Sequence, residues 1–160
     1  MIVILNTTPI LSLYKIDRLG LLERLFGRVF VPIAVYNEIS MLGKGKPGHE
    51  VIDTLGFIQV EQVQNTLAVG LLRSQLDYGE AEAIVLAKEL QVDILVLDEK
   101  KARKVAQANS QKVIGTIGIL QAAKDKGFIP ALRLELDALI AHGVWIDNRL
   151  YQMILNINNE

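Results

Sequence analysis

The chain carries 17 basic and 18 acidic residues in 160, a formal charge of −1, with 51% hydrophobic and 6% aromatic residues. That length suits one domain with a two-sided core, and the balanced charge gives no global pull on nucleic acid, so any such binding must come from a local patch. With no cysteine, disulfides and thiolate metal sites are excluded, and no apolar run nears the roughly 20 residues that a membrane span needs.

In chain order, Ile2 to Leu5 is a β-branched run without alternation, which predicts a strand buried on both faces with Asn6 at its carboxyl end. Thr8 then reads as a helix cap with Pro9 in the first turn, and Asp17 as the cap of a second helix through Leu25 and Phe26 that Gly27 closes. Val29 to Val31 is a second strand, and Pro32 opens a helix carrying Val35, Glu38 and Ile39. Gly43 to Gly48, with Lys44, Lys46 and Pro47, is the clearest loop and reads as a mobile basic segment.

Phe57 to Val63 alternates apolar and polar residues, the pattern of an edge strand. Leu67 to Leu76 has helical period, and Asp77 with Glu80 opens a further helix, Ala81 to Leu90. Asp93 to Leu97 is a buried strand ending in Asp98, followed by a basic helix from Lys100 to Ala108 and a short strand from Val113 to Thr116. Three helical segments remain, broken at Gly127 to Pro130 and at Gly143 to Asp147, with Asp147 as the last cap. This alternation predicts an α/β fold with a mainly parallel, doubly wound sheet covered by helices on both faces and a helical tail. The expectation is a single domain over 1–160, its core ending near 127.

Sites in such sheets form outside the carboxyl ends of the strands, which here are Asn6 and Asp98. Glu38, Glu80 and Glu82 fall near them by topology. Acidic oxygens gathered without a histidine partner suit a hard cation such as Mg²⁺ or Mn²⁺, which activates water and neutralises phosphate charge. Each acid also has a plainer role: Glu80 as the partner of Asp77 in a capping box, Asp98 as a cap, Glu38 as a solvated side chain and Asn6 as a turn residue. Glu80 and Glu82 lie about 200° apart on their helix, and its phase does not choose between them. Lys100, Lys101, Arg103 and Lys104 form either a phosphate-steering patch or an ordinary solvated face. Gly43 to Lys46 lacks the context of a phosphate loop, and His49 and His142 are too few for a zinc or nucleophile system.

Several motifs taken together are family-specific: Asn6-Thr7-Thr8-Pro9-Ile10; Phe30-Val31-Pro32 with Val35 and Glu38; Gly79-Glu80-Ala81-Glu82-Ala83-Ile84; Leu97-Asp98 with Arg103 and Ala106; and Val113, Gly115-Thr116 and Gly118. They resemble PIN-like domains, in particular a prokaryotic branch described as predicted nucleic-acid-binding or toxin–antitoxin proteins. The resemblance runs from Met1 to about Gly127, and Asp137 to Ile154 has the same look. It implies a sheet ordered 3-2-1-4-5 and Mg²⁺- or Mn²⁺-dependent cleavage of single-stranded RNA, with DNA as the other substrate. It places the family's acidic positions on Asn6, Glu38, Glu82 and Asp98, with Glu80 adjacent. Thr7 and Thr116 would then hydrogen-bond substrate or water. Asn6 stands where PIN nucleases usually carry Asp, which removes one formal charge, although the same branch commonly has Asn here.

The toxin reading implies a small antitoxin whose amphipathic helix covers an apolar groove. Competing expectations are an inactive PIN-like module that binds RNA or a protein, and an oligomeric regulatory or assembly protein. A mean hydropathy of +0.30, high for a monomer, adds the expectation of a homo-dimer, a higher homo-oligomer or an obligate partner. Met1 to Leu5 is too short for a signal peptide's apolar core, so the expected location is cytoplasmic.

Overall fold

A computed structural model describes residues 1–42 and 49–160. The basic loop expected at Gly43 to Gly48 lies outside the described residues. The chain runs β1 (Val3–Leu5), α1 (Thr7–Lys15), α2 (Gly20–Phe26), β2 (Val29–Pro32), α3 (Ile33–Leu42) and α4 (His49–Thr54). It continues with β3 (Ile58–Glu61), α5 (Thr66–Leu72), α6 (Tyr78–Glu89), β4 (Ile94–Val96), α7 (Lys100–Ala108) and β5 (Val113–Ile114). Three helices follow, α8 (Thr116–Asp125), α9 (Leu132–Ala141) and α10 (Asn148–Ile157).

All five strands pair in parallel in the order β3-β2-β1-β4-β5. This is the order the resemblance implied, with the alternating segment at an edge. The short apolar strands divide their side chains between two cores, because successive residues face opposite sides of a sheet. Val3 and Leu5 of β1 and Ile94 and Val96 of β4 join Ile10 and Leu13 of α1, Leu120 of α8 and Leu136 of α9 on one face. Ile4 and Leu95 join Val69 of α5, Ile84 of α6 and Ala102 of α7 on the other. Among the described residues no helix is long and apolar enough to cross a membrane.

Two expected caps fall elsewhere. Asp17 does not start α2; it has φ 58 and closes α1, with Arg18 N–H bonded to Leu13 O at 2.8 Å and Asp17 N–H to Tyr14 O at 3.0 Å. That is the Schellman arrangement, which Asp tolerates in the left-handed region better than most residues. Thr8 is not a cap either, since α1 begins one residue earlier with Asn6 at its N-cap position. Val113 to Thr116 divides in the same way, because Thr116 is the first residue of α8 and not the end of a strand. α4 had no counterpart in the sequence reading. Asp147 does cap α10, accepting Leu150 N–H at 3.4 Å.

The C-terminal helices are tied to the front of the chain by charge as well as by packing. Arg18 grips buried Glu135 of α9 through Nε, at 3.0 Å to each carboxylate oxygen, and through Nη2 at 2.8 Å to Oε1. Glu160 returns to the start of α9, accepting Leu132 N–H at 2.8 Å and Arg133 N–H at 2.9 Å.

Candidate active site at the carboxyl edge of the sheet

Leu5 and Val96 are opposite each other in the central strand pair, so the chain leaves β1 and β4 at the same edge. Asn6 still donates its N–H to Val96 O at 3.1 Å. The residue is 6% exposed, and the amide Oδ1 is buried without a hydrogen-bond partner. An unsatisfied buried acceptor costs about 1–3 kcal/mol, so such an atom calls for a donor or a cation.

Asp98 emerges just beyond β4. Its Oδ1 accepts Thr116 N–H at 2.7 Å and its Oδ2 accepts the Thr116 hydroxyl at 2.7 Å. Asp98 therefore caps α8, which starts beside it because β5 pairs with β4, and not α7, where the N-cap position is held by Glu99. The positive end of α8 stabilises the carboxylate. This approach is possible only because residue 115 lacks a side chain: a Cβ on Gly115 would stand 2.8 Å from Asp98 Oδ1 and 2.9 Å from Arg103 Nη1. Arg103 folds back to the same edge and donates to Leu97 O at 3.0 Å.

Glu38 and Glu82 are placed by reciprocal exchange between α3 and α6. Glu38 of α3 accepts Gly79 N–H in the first turn of α6 at 3.1 Å, and Glu82 of α6 accepts Ala34 N–H in the first turn of α3 at 2.8 Å. Each carboxylate thus satisfies an N–H that its neighbour helix cannot bond internally. The second Glu38 oxygen accepts the hydroxyl of Thr7, the residue after Asn6. That bond links Glu38 directly to the end of β1. Glu82 is buried, Glu38 half-buried.

Glu80 takes the structural role anticipated for it. It forms a capping box with Asp77, its N–H bonded to Asp77 Oδ1 at 2.8 Å while its Oε1 accepts Asp77 N–H at 3.4 Å. Its other oxygen is buried without a partner. Burial first, and then the neighbouring Asp77, push this carboxyl up to about 7.

The structure thus brings Asn6, Thr7, Glu38, Asp98, Thr116 and Arg103 to the strand ends, while Glu82 is buried on α6 against the first turn of α3. Lys100, Lys101 and Lys104 lie exposed on α7, apart from these contacts. Sequence reasoning named Gly79 in a motif but gave it no role, although a glycine in the first turn of a helix otherwise built from strong helix formers is a signal of close approach. A Cβ there would stand 2.6 Å from Glu38 Oε1. It also missed a groove of about 560 Å³ lined by Asp98 and Thr116, by Thr8, Ser12 and Lys15 of α1, and by residues of the α9–α10 turn.

The donor set at this edge, three carboxylates and one amide carbonyl, is all oxygen and suits a hard divalent cation. Each carboxylate oxygen has two lone-pair sites, so a bond to N–H leaves room for coordination. The orphaned Asn6 oxygen is what a cation would complete. Among the described residues, however, no three acidic or histidine side chains converge as a ready-made cage. Fewer protein ligands with water and phosphate completing the shell is the pattern of Mg²⁺ sites.

A family described as a PIN domain, DUF3368, matches residues 2–160. No curated protein matches the chain.

Proposed function

The chain belongs to this PIN-domain family, and from that premise we propose that it is a metal-dependent ribonuclease that hydrolyses single-stranded RNA with Mg²⁺ or Mn²⁺. The observation that carries the reading is the buried, unpartnered Asn6 oxygen at the strand edge where Thr7 hydrogen-bonds Glu38 and Asp98 emerges. Carboxylates drawn from Asp98, Glu38 and Glu82, not all three at once, would hold the cation, with Asn6 contributing its carbonyl and water or phosphate completing the shell. When bound, the ion supplies activation of water and neutralisation of phosphate charge.

The residues of the chain supply position and charge. The α8 N-terminus and the Thr116 hydroxyl fix the Asp98 carboxylate, and Thr7 fixes Glu38, so neither must be ordered at the moment of reaction. Arg103 stands beside Asp98 at the edge, where its guanidinium balances charge on a phosphodiester or on the leaving oxygen. Lys100, Lys101 and Lys104 steer the polyanion from solvent. Hydrolysis of a fluorescein-labelled single-stranded RNA in Mn²⁺, compared between wild type and Asp98→Asn, tests the reading. Cleavage that the variant loses supports it, and cleavage by both proteins assigns the activity elsewhere.

A second reading, an inactive PIN-like module that binds RNA or a protein, is favoured by Asn6 in place of an acid and by the absence of a three-acid cage among the described residues. Wild-type protein that binds RNA but never cuts it would select this reading. The toxin role, with a small antitoxin covering the strand edge, rests on the resemblance of the motifs. An oligomer, whether a homo-dimer or larger, draws support from exposed Leu67 and Leu71 on α5 and Met153 and Ile157 on α10.

A further inference from the structure

Trp145 is the only tryptophan in the chain, and it is 83% exposed. A single exposed apolar side chain is ordinary by itself, so what gives Trp145 meaning is the groove it borders. The Trp145 backbone is well fixed. Gly143, at φ 88, ends α9 with Val144 N–H bonded to Leu139 O at 3.0 Å, and Asp147 caps α10. Between those two anchors, Val144 and Ile146 pack against the core. Burial alternates along this segment, with Val144 and Ile146 half-buried and Trp145 between them turned outward. Trp145 lines the same groove of about 560 Å³ as Asp98 and Thr116. Lys15, Thr8 and Ser12 lie along it, and Leu139 and Leu150 form its apolar wall. A volume between about 300 and 1,000 Å³ is that of a small-ligand site.

We infer that this groove is a nucleoside subsite in which Trp145 stacks on a base flanking the scissile phosphate, while Lys15 meets the adjoining backbone. The inference rests on the nuclease reading, since it takes single-stranded RNA as the occupant. Three features favour that occupant: Asp98 and Thr116 of the acidic edge line the groove, the exposed Lys15 adds a cation to its lining, and Trp145 presents a flat aromatic face. An apolar helix would use the Leu139 wall but would leave Lys15 and the two hydroxyls without a role. Stacking on an exposed aromatic recognises any base, so the subsite sets position and not sequence.

Because Trp145 is the sole tryptophan, its fluorescence reports this subsite alone. A hydrolysis-resistant phosphorothioate RNA decamer is titrated into the full chain in Mg²⁺, following indole emission, and separately by anisotropy of a labelled decamer. The inference predicts quenching with the same midpoint as the anisotropy, about tenfold weaker binding for Trp145→Ala and near-complete rescue by Trp145→Phe. It also predicts a similar loss when the decamer carries abasic sugars, with Trp145→Ala binding the intact and abasic decamers alike. Binding by anisotropy with unchanged indole emission and no effect of Trp145→Ala overturns the subsite and leaves the nuclease reading standing. No binding by wild type overturns both. A fall in sedimentation mass for Trp145→Ala, with RNA affinity unchanged, assigns the indole to contact with a second copy and overturns the subsite.

Discussion

Gly79→Ala separates the stability of the fold from the placement of the candidate site. Gly79 is helical, with no positive φ, so alanine meets no backbone strain, and helix propensity alone favours it by up to about 1 kcal/mol. The new methyl would stand 2.6 Å from Glu38 Oε1, 2.9 Å from Oε2 and 3.0 Å from Cδ, so the carboxylate must leave. It then gives up the Gly79 N–H at 3.1 Å and its bond from Thr7. Charged hydrogen bonds contribute about 1.5–3 kcal/mol when buried. Glu38 is only half-buried, so water recovers much of that, and the propensity gain offsets part of the rest. The net change in stability is within about 1 kcal/mol, or roughly 2–4 °C in Tm. The loss of cleavage should be far larger, about 10- to 100-fold, as is typical when a positioning partner of a metal ligand is removed. Parallel thermal melts and Mn²⁺-dependent RNA cleavage assays provide the comparison. Cleavage within threefold of wild type would refute the claim that the Gly79 N–H positions a functional Glu38, and a Tm fall above about 10 °C would show that the cost lies in the fold.

Two further predictions concern stability. The folded-state value of Glu80, about 7, lies above its ordinary 4.5, so the folded protein retains a proton that the unfolded chain has lost between those values. The stabilisation is therefore complete below about pH 4.5 and is lost as pH rises through 7. Glu80→Gln should leave Tm unchanged at pH 4 and raise it at pH 8, by an amount on the order of 2 kcal/mol in stability; a difference independent of pH would contradict the assignment. Arg18→Ala strands the buried Glu135 carboxylate, whose side chain is 5% exposed against 40% for Arg18. Between the value of an exposed pair and that of a buried one, about 2 kcal/mol and a Tm fall of roughly 4–8 °C are expected, read by thermal melt, and restored in part by Arg18→Lys.

The fold was legible because the strands are short, apolar and β-branched while the helices carry their own boundaries, as at Asp77, Gly27 and Asp147. At Thr8 the reading slipped by one residue of register, and at Asp17 because one residue type serves two purposes. Asp both accepts at helix starts and tolerates the left-handed conformation that ends a helix, and only the hydrogen bonds of residues 13–18 decide between them. At the candidate site, Asn6 and Asp98 could be found as the residues following buried strands. The partners could not, since they depend on contacts between distant segments: Glu38 with Gly79, Glu82 with Ala34, Asp98 with Thr116. Helical phase had left Glu80 and Glu82 undecided. In the folded chain Glu80 turns back to Asp77 while Glu82 crosses to α3, a difference set by packing and not by periodicity.

The most direct test of the account is calorimetric titration of Mn²⁺ into the wild-type protein and into Asp98→Asn. Replacement of one carboxylate oxygen by an amide nitrogen removes a charged ligand at nearly constant shape. The account predicts saturable binding by wild type that the variant loses, while both proteins show the same far-ultraviolet circular dichroism. Absence of binding to wild type at millimolar Mn²⁺, or equal binding by the two proteins, would contradict a metal site at the strand edge.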